Sequence, residues 1–442
     1  MKTGILTIFV LEIIALNMVI SLPVNAYAGT IIVPDQYPTI TSAIGNATNG
    51  DTIFIREGIY EEHSLIIDKS ISIVGQDAEG TVVRNIDPEF WDPSQSDFPQ
   101  LSPVLEVKSD FVEIFNLTII GNGTGIMGKG SNIKIDGNTI RAPGGLYLNG
   151  SNQTIAQNKV CAAVTLINCS YGIIHRNIIS EGVSIGNPHI LEAFSGQSGS
   201  NLVYDNIIEG TVSIQSNKNT VVKNNARGIT IINGSFNEIY LNNFTQGKRG
   251  IWMANGFNNT IYANSVKSNE VGVIMQEDSS FTFSGIPNKR GQTANNTIYH
   301  NNFLNNSLQV ERANAVGFIP QTEYDEKQPL VDYLGKTNNH FDNDQEGNYW
   351  QDYNAADIDN NKIGDKPYLL GNSIIDRYPL IEPFNTYTVA LSLPDWVSIT
   401  PQLEQQTEPQ YDGTAIAMGS SICLTLAILG VIVFKKRRKI FK

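Results

Sequence analysis

Four oxygen-bearing side chains near the end of the chain have the spacing of a cation-binding loop. Asp357, Asp359, Asn361 and Asp365 occupy positions 1, 3, 5 and 9 of one short segment. Ca²⁺ accepts flexible cages made of carboxylate and amide oxygens. The segment departs from an EF-hand, because its sixth residue is not glycine and its twelfth is not glutamate. We therefore treat these residues as a candidate Ca²⁺ site, and the alternative is a turn whose side chains bond to its own backbone.

Two further segments carry side chains that are candidates for stacking on a sugar. The segment 86–103, which is rich in Pro and Asp, and the segment 276–295 contain Phe90, Trp91 and Phe98, and Phe281, Phe283 and Arg290, respectively. Functional residues of repeat proteins often lie on loops that leave one face of the stack. The simpler interpretation is that each loop packs its own aromatic rings against the body of the protein.

A sequence motif that recurs about every twenty residues predicts the scaffold that would position these side chains. Aliphatic or β-branched residues flank a central Asn at Asn116, Asn138, Asn158, Asn177, Asn206, Asn224, Asn242, Asn264 and Asn301. This period indicates a repeat architecture of short strands joined by tight turns. Asn tolerates a left-handed backbone, and stacked Asn side chains can form ladders. We predict an all-β fold, a right-handed parallel β-helix over residues 29–384, and an antiparallel sandwich is the alternative.

The repeat also predicts the inward side chains and the two ends of the body. The inward set is Ile133, Ile135, Ile140, Ile155, Val160, Val203, Ile207, Val221, Ile239, Leu241, Ile261, Val266, Ile298 and Phe303. Residues 29–50 are predicted to be an N-terminal cap, because apolar residues at helical spacing follow Pro38 and Thr39. Such a helix would cover the edge of the first coil. Residues 338–384, where the repeat fades, are predicted to be a closing segment.

The chain termini carry signals for export and anchoring. Residues 1–28 have an early Lys, an apolar run and a small-residue cleavage motif, which is typical of a secretory signal peptide; Glu12 leaves an uncleaved anchor as the alternative. Residues 414–434 form an uncharged run long enough for a transmembrane helix. The basic residues 435–442 indicate a cytoplasmic tail, and residues 385–413 have the composition of a flexible stalk. The body is therefore expected outside the cell, anchored at its C terminus.

An exported body makes the Asn-x-Ser/Thr sequons relevant. The glycosylation candidates are Asn46, Asn122, Asn149, Asn152, Asn233, Asn258, Asn295 and Asn305. Asn116 also begins a sequon, but we expect it to be buried in the ladder. The net charge of −13 and the absence of a basic stripe argue against nucleic acid as a partner.

Four short stretches of this sequence, two near its start and two near the end of the repeat, resemble a known family. Residues 50–62 (GDTIFIREGIYEE) and 65–75 (LIIDKSISIVG) resemble the first coils of the pectin-lyase-like β-helix superfamily, which includes NosD-like periplasmic proteins. Residues 348–353 (NYWQDY) and 376–380 (DRYPL) resemble the closing segment of NosD-like and related archaeal surface β-helix proteins. The resemblance covers residues 31–384. It implies the architecture and leaves the activity open, because the family has unrelated roles.

The resemblance implies two chemistries, which the residues themselves do not favour. NosD-like proteins are associated with copper delivery, and copper favours His, Met or Cys ligands. The His residues are far apart in sequence, so copper is not expected unless stacked coils join them: His63, His175, His189, His300 and His340. Glycoside hydrolysis requires two opposed carboxylates. Asp136, Gln157 and Arg176 are expected at equivalent places in successive coils, so no carboxylate column is predicted.

The sequence as a whole favours a cell-surface β-helix protein without catalysis. We expect it to bind glycans or neighbouring cell-surface proteins, or to act as a structural surface. The alternative is a carbohydrate-active lyase or hydrolase of the pectin-lyase-like superfamily, although the Asn-Thr-Asp, Gly-His-Gly and Arg-Ile-Lys phrases of polygalacturonase-like enzymes are absent. A third hypothesis is a NosD-like protein that handles copper.

Overall fold

The chain winds into coils, and each coil adds a strand to three parallel sheets. The computed structural model describes residues 28–86, 102–186, 199–276, 278–279, 291–313, 338–370 and 375–397. Neighbouring strands of each sheet come from successive coils and pair in parallel. Crossovers between parallel strands are right-handed in nearly all proteins, so this arrangement indicates a right-handed parallel β-helix. The predicted all-β fold class is confirmed, and the antiparallel sandwich is wrong.

We name the sheets A, B and C in the order in which a coil visits them. Sheet A contains Thr30–Val33, Thr52–Ile55, Ser72–Gly75, Glu113–Phe115, Lys134–Asp136, Thr154–Ala156, Ile173–His175, Leu202–Tyr204, Thr220–Val222, Glu238–Tyr240, Thr260–Tyr262 and Thr297–Tyr299. Sheet B contains Gly58–Glu62, Thr81–Asn85, Thr118–Ile120, Thr139–Arg141, Lys159–Val160, Ile178–Ile179, Ile207–Ile208, Asn225–Ala226, Asn243–Thr245, Ser265–Lys267, Asn302–Leu304 and Tyr349–Trp350. Sheet C contains Leu65–Ile67, Leu105–Val107, Ile126–Lys129, Leu146–Asn149, Val164–Ile167, Val183–Ile185, Thr211–Ile214, Gly228–Ile232, Arg249–Ala254, Val271–Gln276 and Leu308–Ala313. Two short antiparallel pairs stand apart, Asp278–Ser279 with Gly291–Gln292 and Tyr368–Leu369 with Ile375–Asp376.

The interior is a continuous apolar core of stacked aliphatic side chains. Successive side chains of a strand point to opposite faces, so the central residue of a three-residue strand in sheet A, such as Ile135 or Ile155, points inward. The predicted inward set is confirmed except for Ile207 and Leu241, which are not buried. Ile208 is buried in place of Ile207, because the alternation lets only one of two adjacent isoleucines face the core.

Ladders of buried Asn side chains close two corners of the coils. Between sheets A and B, Asn158 Oδ1 accepts the backbone N–H of Asn138 at 2.9 Å and its Nδ2 at 3.1 Å. The same bonds continue along Asn138, Asn158, Asn177, Asn206, Asn224, Asn242, Asn264, Asn301 and Asn348. A second ladder, between sheets C and A, contains Asn201, Asn219, Asn237, Asn259, Asn296 and Asn339. The predicted ladder is therefore confirmed, and its buried amides are paired as buried polar groups must be.

The first Asn of the repeat phrase is not a rung of this ladder. Leu117 donates its backbone N–H to Asn138 Oδ1 at 3.0 Å, so Leu117 holds the first rung place. Asn116, one residue earlier, is exposed and has a φ of 53°. The expectation that Asn116 is buried is wrong, because the residue before each rung forms the left-handed turn while the rung points inward.

A short helix, Ile40–Asn46, lies where the sequence predicts one. Thr39 is its N-cap and forms a capping box with Ser42. Glu62 Oε1 accepts the N–H of Ile40 at 2.7 Å, which ties the helix start to sheet B. The role of this helix as a cover for the first coil stays a prediction.

After the last coil the chain folds back over the outer face of sheet A. We call residues 384–397 the strap; it includes a 3-10 helix, Thr386–Thr388. The Tyr240 hydroxyl donates to the carbonyl of Ser392 and accepts its N–H. Apolar strap residues pack on the cluster of Leu202, Tyr204, Val222 and Tyr240; they are Val389, Leu391, Leu393, Trp396 and Val397. Residues 385–397 belong to the predicted flexible stalk but are packed chain in the structure, because alternate apolar side chains meet an apolar face.

The predicted signal peptide, transmembrane helix and basic tail fall almost wholly outside the described residues, since residues 1–27 and 398–442 are not described. In the described ranges of the chain, no helix has the length and apolar character needed to cross a membrane. The assignments of residues 1–28, 398–413, 414–434 and 435–442 stay predictions.

Candidate ligand-binding face

The outer face of sheet C is uncharged across five successive strands. Leu146–Asn149, Val164–Ile167, Val183–Ile185, Thr211–Ile214 and Gly228–Ile232 contain no charged residue, although the chain has a net charge of −13. The strap covers the corresponding part of sheet A. These five strands of sheet C therefore present a neutral surface on an acidic protein, which suits a neutral ligand better than a charged one.

One outward column of sheet C consists of hydroxyl groups between two aromatic rings. Strand register aligns Tyr147, Thr165, Ser184, Ser213, Thr230 and Trp252. All six side chains are half-buried. At about 4.8 Å for each coil, the column is about 24 Å long. Its hydroxyls can both donate and accept hydrogen bonds, and its terminal rings can contact an apolar ligand face. We call this column the sheet C face.

Neighbouring side chains hold the margin of the sheet C face in place. The guanidinium of Arg249 lies over the ring of Trp252, with Cζ 4.3 Å from the ring centroid. This cation–π contact restricts the ring. Beside the column, the Asn255 Nδ2 donates to Asn233 Oδ1 at 3.0 Å. The face is therefore built on strands and cross-coil bonds, which position groups more rigidly than loops do.

The aromatic residues predicted to bind a ligand lie outside the described residues. They are Phe90, Trp91 and Phe98, and Phe281, Phe283 and Arg290. Their points of attachment are described. The first segment joins Thr81–Asn85 of sheet B to Leu105–Val107 of sheet C, and the second joins Val271–Gln276 of sheet C to Thr297–Tyr299 of sheet A. The two segments therefore attach at opposite margins of sheet C, and the ligand role of their side chains stays a prediction.

The expected alignment of Asp136 with Gln157 and Arg176 is wrong by one residue. The register pairs Asp136 with Ala156, and Ala156 with His175. Asp136 lies two residues before its rung Asn138, whereas Gln157 lies one residue before Asn158 and Arg176 lies one residue before Asn177. The column that contains Asp136 still holds no second carboxylate next to it.

Opposed carboxylates are also missing from the described strands of sheet C. Their acidic residues are Glu106, which pairs with Lys108 at 3.0 Å, and Glu311. These two strands lie nine steps apart in the sheet order, about 43 Å at about 4.8 Å for each step. Glycosidases place their two carboxyl groups about 5 to 10 Å apart. The described strands of sheet C therefore do not provide this hydrolytic pair.

The candidate Ca²⁺ residues share one loop of the closing segment. Asp357 Oδ1 accepts the N–H of Asn361 at 3.1 Å, and Asp365 Oδ2 accepts the N–H of Ile358 at 3.0 Å. Asn361 Nδ2 donates to Asp359 Oδ2 at 3.0 Å. These are the bonds of a self-bonded Asp/Asn turn. Across the described part of the chain, no three His, Cys, Asp or Glu side chains are grouped to hold a metal ion. The Ca²⁺ site stays a prediction.

His300 and His175 have different surroundings. His300 Nε2 lies 2.6 Å from Glu346 Oε2, and its ring stacks on Phe384 with centroids 4.0 Å apart. His175 lies on sheet A, where burial lowers its pKa. His189 falls outside the described residues. Among the described residues, none of His63, His175, His300 and His340 belongs to a group of three or more His, Cys, Asp or Glu side chains that could hold a metal ion.

The predicted glycosylation sites divide by exposure. Six are exposed: Asn46, Asn122, Asn152, Asn258, Asn295 and Asn305. Asn149 and Asn233 are half-buried, and each accepts a bond from an Asn on the next coil. Sugar requires an accessible Asn. The exposed six meet that requirement, and their modification stays a prediction.

A buried carboxylate ends the first Asn ladder. Asp376 Oδ2 accepts the N–H of Asn348 at 2.8 Å and the Nε1–H of Trp350 at 2.8 Å. Asp376 is 0% exposed, and burial raises its pKa to about 6 against the effect of these bonds. The last rung has no further Asn beyond it, so a group that only accepts hydrogen bonds fits this place. Asp376 therefore completes the hydrogen bonding of the last rung.

Comparison with known proteins agrees with this architecture. Residues 216–355 match the model of the family described as periplasmic copper-binding protein (NosD). A search of curated proteins gives no match. The predicted resemblance to NosD-like, pectin-lyase-like β-helix proteins is confirmed for the fold.

Several solved structures are similar to this chain. The A-module of a mannuronan C-5 epimerase from Azotobacter vinelandii matches 63% of this chain and 90% of its own, with 10% identity and a TM-score of 0.44. The catalytic domain of an α-1,3-glucanase matches 65% of this chain and 68% of its own, with 12% identity and a TM-score of 0.42. A PL6 family alginate lyase matches 84% of this chain and 60% of its own, with 14% identity and a TM-score of 0.42.

Proposed function

We propose that the protein is an extracytoplasmic β-helix whose sheet C face binds neutral glycan chains without cleaving them. The observation that carries the proposal is the column of hydroxyl groups between the rings of Tyr147 and Trp252, because the strands that carry these hydroxyls have no charged residue. Side-chain hydroxyls match sugar hydroxyls, because both donate and accept. Aromatic rings match the apolar face of a sugar ring. The partners are therefore free glycans or glycan-bearing surface proteins.

The placement of the protein in the cell is part of this proposal. Residues 1–28 would direct export, residues 414–434 would anchor the chain and residues 435–442 would lie in the cytoplasm. The match to a family described as periplasmic supports an extracytoplasmic body. Sugars on the exposed sequons would be compatible with that location.

A binding screen with product detection tests the proposal. The full chain in detergent is titrated with glucans, mannans and galactans, with acidic glycans as a contrast, and new reducing ends and unsaturated products are followed in the same samples. We expect saturable binding of a neutral glycan and no product. Trp252→Ala removes apolar contact of about 1.5–3 kcal/mol, so affinity should fall about tenfold or more. Tyr387→Ala, at an exposed ring of the strap, is the control and should bind normally.

The enzyme alternative is tested by the same samples. Product formation that depends on added glycan would identify a lyase or hydrolase and would contradict the absence of cleavage. Carboxylates on the segments outside the described residues would then be the first to replace. Absence of binding by every glycan would leave a structural or protein-binding role.

Copper handling is the second candidate, because the family match covers His300 and His340. The contact between His300 and Glu346 gives one nitrogen and one oxygen donor, whereas copper sites favour several His, Met or Cys ligands. Titration with Cu(I) and Cu(II), followed by competition with a chelator, tests this candidate. Tight stoichiometric binding that is lost in His300→Ala would support copper handling over glycan binding.

A further inference from the structure

One turn position, at the corner between sheets C and A, keeps a left-handed backbone in ten coils. Backbone hydrogen bonds align its occupants, whose φ angles lie between 49° and 60°: Phe111, Asn132, Asn152, Tyr171, Ser200, Lys218, Phe236, Asn258, Asn295 and Asn338. Asn is the commonest occupant, as expected where a side chain must tolerate φ above zero. Bulky side chains are genuine outliers in this conformation. The three aromatic occupants are therefore unfavourable choices for the turn itself.

These three aromatic side chains gain little burial in return. Phe111 is 65% exposed, Tyr171 is 49% exposed and Phe236 is 57% exposed. An aromatic side chain stabilises a fold mainly through the area that it removes from water. Tyr171 has one ring contact within the described chain, with Trp396 of the strap. For Phe111 and Phe236, the exposed ring leaves packing a poor explanation of why an aromatic residue stands where Asn stands in other coils. Strained, exposed positions of this kind point to a role in binding.

The three rings form a regular row along the axis of the β-helix. Phe111 and Tyr171 are separated by three coil steps, and Tyr171 and Phe236 by three more. The rings are thus about 14 Å apart, and the row is about 29 Å long. Trp396 of the strap meets Tyr171 edge-on, with ring centroids 5.4 Å apart, and enlarges the middle of the row. We call Phe111, Tyr171 and Phe236 the aromatic row.

We propose that the aromatic row docks a linear polysaccharide that runs along the helix axis, with one sugar face on each ring. This inference rests on the proposed function and specifies its ligand as a long chain rather than a short oligosaccharide or a single terminal sugar. Rings about 14 Å apart do not form the compact aromatic centre of a protein interface. They do match an extended polymer, which gains affinity through successive weak contacts. The row adjoins the margin of sheet C, so one chain can contact both.

Replacement of all three rings by Asn separates binding from folding. Asn already stands at this turn in Asn132, Asn152 and Asn258, so the triple variant Phe111→Asn, Tyr171→Asn and Phe236→Asn should melt at the wild-type temperature or above it. Binding to size-fractionated glucans, mannans and galactans is measured with the full chain. The protein sample must have a mass that shows no attached sugar, because the sequon residues Asn152 and Asn258 occupy the same turn position as the three rings. The triple variant should bind long chains at least about tenfold more weakly.

Chain length provides the second readout. Wild-type affinity should rise with glycan length until the chain spans about 29 Å, and the triple variant should lose that rise while keeping the affinity for short oligosaccharides. Undiminished binding of long chains by the triple variant would contradict the proposed role of the aromatic row. If only Trp252→Ala lost affinity, the sheet C face would remain the binding surface. Absence of glycan binding by the wild type would overturn both. A triple variant that melts lower than the wild type would show that the rings serve the fold instead.

Discussion

Two adjacent Asn residues provide a matched test of the ladder that joins the coils. Asn224 is a rung, whereas Asn225 points outward from sheet B. Asn224 Oδ1 accepts the backbone N–H of Asn206 at 3.0 Å and its Nδ2 at 2.9 Å. Asn224 Nδ2 donates to Val203 O at 2.9 Å and to Asn242 Oδ1 at 3.0 Å. One side chain thus links three successive coils.

The substitution Asn224→Ala removes all of these bonds at once. The backbone N–H of Asn206 loses its acceptor in the core, and a buried donor without a partner costs about 1–3 kcal/mol. The other lost bonds contribute about 0.5–1.5 kcal/mol each, so we expect a loss of about 3–6 kcal/mol. In Asn225→Ala, the lost bond is the one from Asn243 Nδ2 at 3.0 Å on a half-buried surface, and the loss should be below about 1 kcal/mol.

Hydrogen exchange of the native protein localises this effect better than a melting curve alone. Each coil of a solenoid contacts only its neighbours, so opening should spread from the damaged rung. We expect faster exchange in the strands that flank Asn224→Ala, together with a lower melting temperature, and near wild-type exchange in Asn225→Ala. Equal effects of the two substitutions would refute the assignment of the rung as the element that joins the coils.

Three further predictions concern the closing segment and the strap. The pKa of Asp376 in the folded protein, about 6, lies above the unfolded value of about 3.9. The free energy of unfolding should therefore fall by roughly 3 kcal/mol as the pH rises from 4 through 6. Urea titrations at several pH values measure this dependence, which Asp376→Asn should remove. Tyr240→Phe removes the hydroxyl that bonds to Ser392 and should lower strap stability by about 0.5–1.5 kcal/mol, seen as faster proteolysis there; unchanged cleavage would contradict the strap contact. Ca²⁺ should raise the melting temperature of the wild type and not of the double variant Asp357→Asn, Asp359→Asn, and an equal rise in both would remove the Ca²⁺ site.

The fold could be predicted because its signal repeats. A single Asn says little, but the recurrence of Asn138, Asn158 and Asn177 in the same aliphatic phrase specifies stacked strands with ladder corners. The inward side chains follow from the alternation of each strand. Both inferences use local geometry, which the sequence carries directly.

Register and long-range packing were harder to predict. The expected positions of Asn116 and Asp136 in the coil were wrong by one residue. A shift of one residue leaves the period of the repeat unchanged, so the period alone does not fix the register. The strap packs through contacts between residues far apart in sequence, such as Tyr240 and Ser392. Its alternate apolar residues are also compatible with a stalk that has a few hydrophobic positions. No periodic signal joins the two.

The candidate binding surfaces were missed for a related reason. Ser and Thr are ordinary residues of half-exposed strands, so Ser184 and Ser213 acquire meaning only when register places them in one line. The aromatic row is visible in the sequence as aromatic residues near the Asn turns, but the strain at Phe111 and Phe236 is apparent only from their φ angles. The aromatic residues chosen from the sequence, by contrast, fall in segments whose structure is not described.

A charge placed in the middle of the sheet C face tests the central claim most directly. Ser213→Glu puts a carboxylate into the hydroxyl column, and Ser265→Glu puts the same change at a half-buried outward position of sheet B as the control. Affinity for the neutral glycan is measured by calorimetry on full chains with matched melting temperatures. The proposed function predicts at least about tenfold weaker binding in Ser213→Glu and wild-type binding in Ser265→Glu. Wild-type affinity in Ser213→Glu, or equal losses in the two variants, would contradict glycan binding on sheet C.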